Sequence, residues 1–83
     1  MAELRISEKT AQKLLHKHHV EPAEVRDSVV CRIGLPFRID DDPQRGKRFV
    51  VTVAIRSERW LVVLVPSPRD ADIFALATAH RVK

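Results

Sequence analysis

The chain has 83 residues, enough for one small domain with one hydrophobic core, and residues 1–83 are expected to fold as that single domain. Apolar residues make up 45% and charged residues 31%, which excludes a disordered chain, and no apolar run approaches the ~20 residues of a membrane span. The net charge of +4 is uneven: residues 1–42 hold seven Lys/Arg against eight Asp/Glu, and residues 43–83 hold eight against three. The second half therefore suits a polyanion such as RNA or DNA, or an acidic protein, unless the charge only solubilises the surface.

The opening stretch MAELRISEK is charged within its first residues and holds no signal-peptide core, so a cytoplasmic protein is expected. Ser7 has the side chain of a helix N-cap, and Glu8 follows in the first turn, where negative charge suits the helix dipole. Ala11, Leu14, Leu15 and His18 fall on one helical face, while Lys9, Lys13, His16 and Lys17 gather on the opposite side. This pattern predicts a short amphipathic helix over residues 8–18 with a basic outer face. Pro22 suits the first position of a second helix, Glu24 the third, and Val20 and Val25 the two ends of a hydrophobic staple. That helix is expected to reach about Val30. Cys31 follows Val29-Val30; as the only cysteine it builds no disulfide framework, and its neighbours favour a buried structural thiol.

From Leu35 the apolar period changes to two. Leu35, Phe37 and Ile39 alternate with Pro36 and Arg38, and Pro36 confines this strand to an edge because it donates no ladder hydrogen bond. Asp40 to Gly46 reads as a polar turn. KRFVVTVAI sets Phe49, Val51, Val53 and Ile55 against Val50, Thr52 and Ala54. Arg56 to Arg59 is a polar hairpin connection. WLVVLV is apolar on both faces, with Trp60, Val62 and Leu64 on one and Leu61, Val63 and Val65 on the other. After the PSPRD turn, residues 72–78 read as a last strand. Short turns between successive strands require an antiparallel meander. The expected fold is α+β, with two N-terminal helices packed on one face of a four-stranded antiparallel sheet. Two helices cover one face only. The other keeps apolar residues for a protein partner, Trp60 and Val62 among them if that row points outward.

His16 and His19 lie three apart, but two histidines fall short of the three or four ligands of a zinc site. No HExxH and no cysteine pair accompanies them, and neither a metal nor another cofactor is expected. Asp40-Asp41-Asp42 lacks the spacing of a calcium loop. The chain has no glycine-rich nucleotide motif and no GxSxG, which argues against nucleotide-dependent enzymes and serine hydrolases. What remains is a set of basic residues on or beside the sheet: Lys47, Arg48, Arg56, Arg59, Arg69, His80 and Arg81. Such a set suits phosphodiester cleavage without a metal. That chemistry needs a base for the ribose 2′ hydroxyl, cations for the charge developing on the phosphorane and an acid for the leaving 5′ oxygen. His80 beside Arg81 is the one histidine–arginine neighbour pair; the alternative is that both belong to a disordered cationic terminus.

The order helix–helix–meander, with KHHVEPAEV at the helix junction, resembles the BrnT toxins of the RelE/ParE superfamily. Their pattern there is Lys-His-Gly-Val before an acidic amphipathic helix, and Lys17, His18, Val20, Glu24 and Val25 match it. RFVV (Arg48 to Val51), ERWLVV (Glu58 to Val63) and TAHR (Thr78 to Arg81) resemble further short stretches, so the resemblance spans nearly the whole chain. It departs at Val53-Ala54, where the family has glycine-arginine, at Val65-Pro66, where polar residues are usual, and at Ala75, which replaces a basic residue. The resemblance implies a divergent bacterial type II toxin: an endoribonuclease that cleaves mRNA, ribosome-associated mRNA included, without a metal, and that a cognate antitoxin protein neutralises.

On that reading Arg48, Arg59 and Arg81 hold the scissile phosphate, His80 transfers protons, and Lys13, Lys17, Lys47 and Arg56 bind the RNA backbone. The second reading is a non-catalytic interaction module on the same fold, with Trp60 and Val62 at its partner surface. A DNA-binding domain ranks below both, because no stretch resembles a recognition helix with its turn. The family motif has glycine where this chain has His19. His19 is therefore expected to end the first helix in the left-handed conformation, with His18 packed inward and His16 facing solvent.

Overall fold

In the computed structural model, which describes residues 3–82 apart from Cys31, Ile33 and Arg45, two helices lie on one face of a five-stranded sheet. The expectation of a buried thiol at Cys31 falls outside the described residues. The elements in chain order are β1 (Glu3–Arg5), α1 (Glu8–Lys13) continued by a wider π-type turn (Leu14–His18), α2 (Pro22–Val29), β2 (Phe37–Asp42), β3 (Gly46–Ile55), β4 (Glu58–Pro66) and β5 (Ile73–Arg81). No described helix is long and apolar enough to cross a membrane.

The α+β class and the antiparallel meander β2-β3-β4-β5 are present, but the sheet is neither four-stranded nor wholly antiparallel. Glu3–Arg5 adds a strand parallel to β5, pairing Leu4 with Phe74, which gives the order β1-β5-β4-β3-β2. A three-residue strand is too short to display a period, and its partner lies at the other end of the chain. Its contribution is nonetheless firm, because Leu4 is only 2% exposed within the core. The strand that Pro36 leads into, β2, does form an edge, which suits a residue without an N–H at its entry.

The helix starts follow local chemistry. The Thr10 backbone N–H donates to Ser7 Oγ at 3.2 Å, and the Glu21 N–H donates to Glu24 Oε1 at 3.3 Å. Val20 and Val25, the two ends of the staple, are both buried. Between the helices His19 takes φ 55°, the left-handed conformation, and its N–H donates to the Leu15 carbonyl while that of Val20 reaches back to Leu14. The first helix meets the sheet along one line, Leu14 to His18, so Leu15 is left 43% exposed rather than sharing the buried face.

The core lies between the helices and one sheet face, where Leu14, Val20, Val25 and Val29 meet Val51, Val53, Ile55, Trp60, Val62, Leu64 and Leu76. The β3–β4 connection is tighter than a four-residue turn. Arg56 and Ser57 alone close it, both at positive φ (53° and 67°), the backbone of a type I′ hairpin, so Glu58 and Arg59 already belong to β4. The last strand runs on to Arg81 instead of stopping at Thr78. His80 and Arg81 therefore sit in an ordered ladder, not in a disordered terminus.

Because a side chain bearing Cβ pays about 1–2 kcal/mol for the left-handed region, and a β-branched one the most, His19→Val should lower unfolding stability by about that amount. His19→Gly should stay close to the native value. Urea unfolding midpoints for the two variants decide this, and equal losses would contradict a left-handed role at this position.

Candidate nucleic-acid interface

The site is built from the far end of the first helix and the last turn of the sheet ladder. Lys13 and Lys17 project from the exposed side of the helix, as the charge pattern requires. The left-handed turn at His19 ends the helix so that His18 points the other way, into the protein. Its ring stands edge-on to Trp60, with centroids 5.5 Å apart and planes at 78°. His16 and His19 face solvent.

Trp60 begins the buried row of β4, and its partner in register on β5 is Arg81, while Leu61 pairs with His80. β1 covers β5 only as far as Ala75, so His80 and Arg81 flank a stretch of β5 that β1 does not reach. Their side chains go to opposite faces, since neighbours on a strand alternate. Arg59 shares the open face with His80 as its diagonal neighbour, two residues from Leu61 on β4 and linked to β5 by the Val82 N–H donating to the Arg59 carbonyl at 2.9 Å.

Burial pushes the His18 imidazole below its ordinary pKa, and the positive charges of Lys17, His80, Lys13 and Arg81 push it further in the same direction. Four basic side chains from the two ends of the chain thus act on His18, Lys13, Lys17 and Arg81 from its own side of the sheet and His80 from the open face. Arg81 Nη1 is held by Glu58 Oε2 at 2.9 Å, an exposed pair of small energetic worth that fixes the guanidinium's position. Lys13, Lys17, Arg59 and His80 make no ion pair among the described residues.

The structure brings together some of the expected site residues and separates others. Lys13, Lys17 and Arg81 lie on the helix side near His18, whereas His80 and Arg59 are neighbours on the open face of the same strand ends. Arg48 is opposite Asp40 in the β2–β3 register and lies past the Phe49–Leu64 pair, about 20 Å up the ladder from Arg59. Lys47, opposite Asp41, is at that same distant end. Arg56 is committed elsewhere. Its Nε and Nη2 both bond to the Glu24 carboxylate, at 2.7 and 2.5 Å, tying the β3–β4 hairpin to the first turn of α2. That fork holds the Glu24 carboxyl below its ordinary pKa and raises that of Arg56.

Trp60 and Val62 are a correction. They are 4% and 0% exposed and face the helices, so they belong to the core and not to an uncovered partner surface. The alternate row, Leu61, Val63 and Val65, occupies the open face together with Val50 and Thr52. The sequence reading missed that His18 packs beside the end of β5. Its place on an apolar helical face showed that it packs, but not that Trp60 and the register partner of Trp60, Arg81, lie there.

Comparison with known proteins finds no matching family model, no matching curated protein and no matching solved structure.

The direction of the His18 shift fixes a pH dependence. The unfolded imidazole binds its proton near pH 6.5, whereas the folded one resists it to lower pH, so the unfolded state holds more protons in between. Stability should be full above that value and fall as the pH drops below it. In His18→Phe, which keeps the ring contact with Trp60, the fall should be smaller. Equal pH slopes of the urea midpoint in the two proteins would contradict the assignment.

Proposed function

We propose that this domain is the toxin of a type II toxin–antitoxin pair, an endoribonuclease that works without a metal and is neutralised by a protein antitoxin. The observation that carries the reading is the exposed His80 with Arg59 as its diagonal neighbour on the open sheet face, at the end of a strand whose helix side carries Arg81 near Lys13 and Lys17. An RNA backbone is the complement of such a cluster, because each phosphate it engages releases counterions. The exposed His80 takes the proton of the ribose 2′ hydroxyl. The oxygen attacks phosphorus, the bond to the 5′ oxygen breaks, and the imidazolium returns the proton to that leaving oxygen, leaving a 2′,3′-cyclic phosphate. Arg59, on the same face as His80, offsets the charge on the phosphorane, and Arg81, Lys13 and Lys17 on the helix side meet the RNA backbone beyond it. On this reading Arg48 and Lys47 meet the strand farther along rather than at the scissile phosphate, and Arg56 holds the fold. Binding by the antitoxin blocks the cluster.

One observation favours a second reading, a non-catalytic interaction module. Ala54, Val65 and Ala75, apolar where the resemblance has polar groups, share the open face with Leu61 and Val63. The partner surface is then that row instead of Trp60 and Val62.

Induced expression should arrest growth and cleave mRNA, and His80→Ala should relieve both. RNA binding by the purified protein should fall with salt at a log–log slope of about −2 to −3 for about four engaged cations, and Lys17→Ala should reduce that slope by about 0.7. Arrest and cleavage that survive His80→Ala combined with Arg81→Ala would overturn the site. Harmless expression with no RNA binding would overturn the toxin reading. A protein partner whose binding resists salt and is lost in Leu61→Asp would then support the module.

A further inference from the structure

Among the described residues, the edge strand β2 carries the two most exposed large apolar side chains. Phe37 is 61% exposed and Ile39 49%, and β2 has no neighbour beyond it among the described residues. Phe37 stacks on Phe49 at 6.0 Å, and Phe49 stands edge-on to Phe74 at 5.4 Å. An aromatic shelf thus runs along the helix side of the sheet to its rim. With Leu35 and Val29 it borders an open groove of about 280 Å³.

The backbone of β2 also faces outward in a defined way. The Thr52 N–H donates to the Pro36 carbonyl at 2.9 Å, so Pro36 and Thr52 form a hydrogen-bonded pair of the antiparallel ladder. Such pairs recur every second residue, which turns the N–H and C=O groups of Arg38 and Asp40 toward β3. Those of Phe37, Ile39 and Asp41 point to the free edge.

We infer that β2 is the dimerisation edge of this protein, pairing antiparallel with β2 of a second copy about a two-fold axis at Ile39. The register follows from charge. Opposed residues must share a face, so the axis can pass only through a residue position. An axis at Arg38 sets two Arg38 guanidiniums against each other, and one at Asp40 opposes two Asp40 carboxylates, each a like-charge clash. An axis at Ile39 places Arg38 opposite the partner copy's Asp40 twice, and Ile39 against its own equivalent on the aromatic side. It also pairs the outward backbone groups of Phe37, Ile39 and Asp41 in about six hydrogen bonds. The interface is self-complementary, as a two-fold contact requires, and it joins two five-stranded sheets into one. A charged edge can also serve to repel other strands, which is the competing outcome.

Sedimentation of the full chain over a concentration series tests this. The native protein should show twice the 9.5 kDa chain mass. Arg38→Asp alone and Asp40→Arg alone should each sediment as monomers, and the double variant carrying both changes should recover the dimer. Ile39→Lys should also be monomeric, and the far-UV circular dichroism of every variant should match the native spectrum, since the altered side chains are exposed. A native monomer, or a dimer indifferent to Arg38→Asp, overturns the proposal. Loss in both single variants without recovery in the double overturns the register.

Discussion

The left-handed residue at His19 is the constraint on which the rest of the arrangement depends. It stops the first helix, lets Val20 turn back into the core as one end of the staple, and sends His18 inward onto Trp60. Trp60 lies on the second of the two central strands of the meander, opposite both Val53 and Arg81, so the helix end is fixed to the middle of the sheet and to the end of its last strand at once. A chain that left the helix in an extended conformation would carry Lys13 and Lys17 away from His80 and Arg81. The local backbone geometry of one residue therefore sets the distance between the two halves of the charge cluster.

Charge in this molecule separates into two kinds of work. Arg56 is fixed by Glu24, which also caps the second helix through the Glu21 N–H, so that cation holds the hairpin to the helical layer. The positive φ of Arg56 and Ser57 is costly for residues that are neither glycine nor asparagine, and the carboxylate fork offsets part of that cost by holding the turn in place. Lys13, Lys17, Arg59 and His80 have no such partner among the described residues. Cations without an ion pair among the described residues are the ones available to an external anion, and Arg48 and Lys47 are among them. Position, more than net charge, separates the two sets, because Arg48 and Lys47 lie at the far end of the ladder from His80.

The sequence carried the local features and not the distant ones. Ser7, Pro22, the Val20–Val25 staple and the edge placement of Pro36 were legible, because each depends on chemistry within a few residues, and the conformation of His19 was read from the glycine that the resembled motif has at its position. The strand Glu3–Arg5 was not, since only its pairing with β5 makes it a strand. The direction of the β4 row was not either. WLVVLV is apolar on both faces, and nothing in a period of two says which face the helices cover; the burial of Trp60 settles it. The site was half legible for the same reason. His80 and Arg81 could be chosen by residue type, but the separation of Arg48 and the capture of Arg56 follow from register and from a contact between residues 24 and 56.

The central claim is that RNA is held where the first helix and the end of the last strand meet. Its most direct test is to follow backbone amide shifts by nuclear magnetic resonance while a short single-stranded RNA is added at low salt. The account predicts shifts at Lys13, Lys17, His18, Arg59, His80 and Arg81, together with the buried Trp60 indole, all reversed by added salt. Shifts confined to the β2 edge and the Asp40–Asp42 segment, or a spectrum that RNA leaves unchanged, would contradict it.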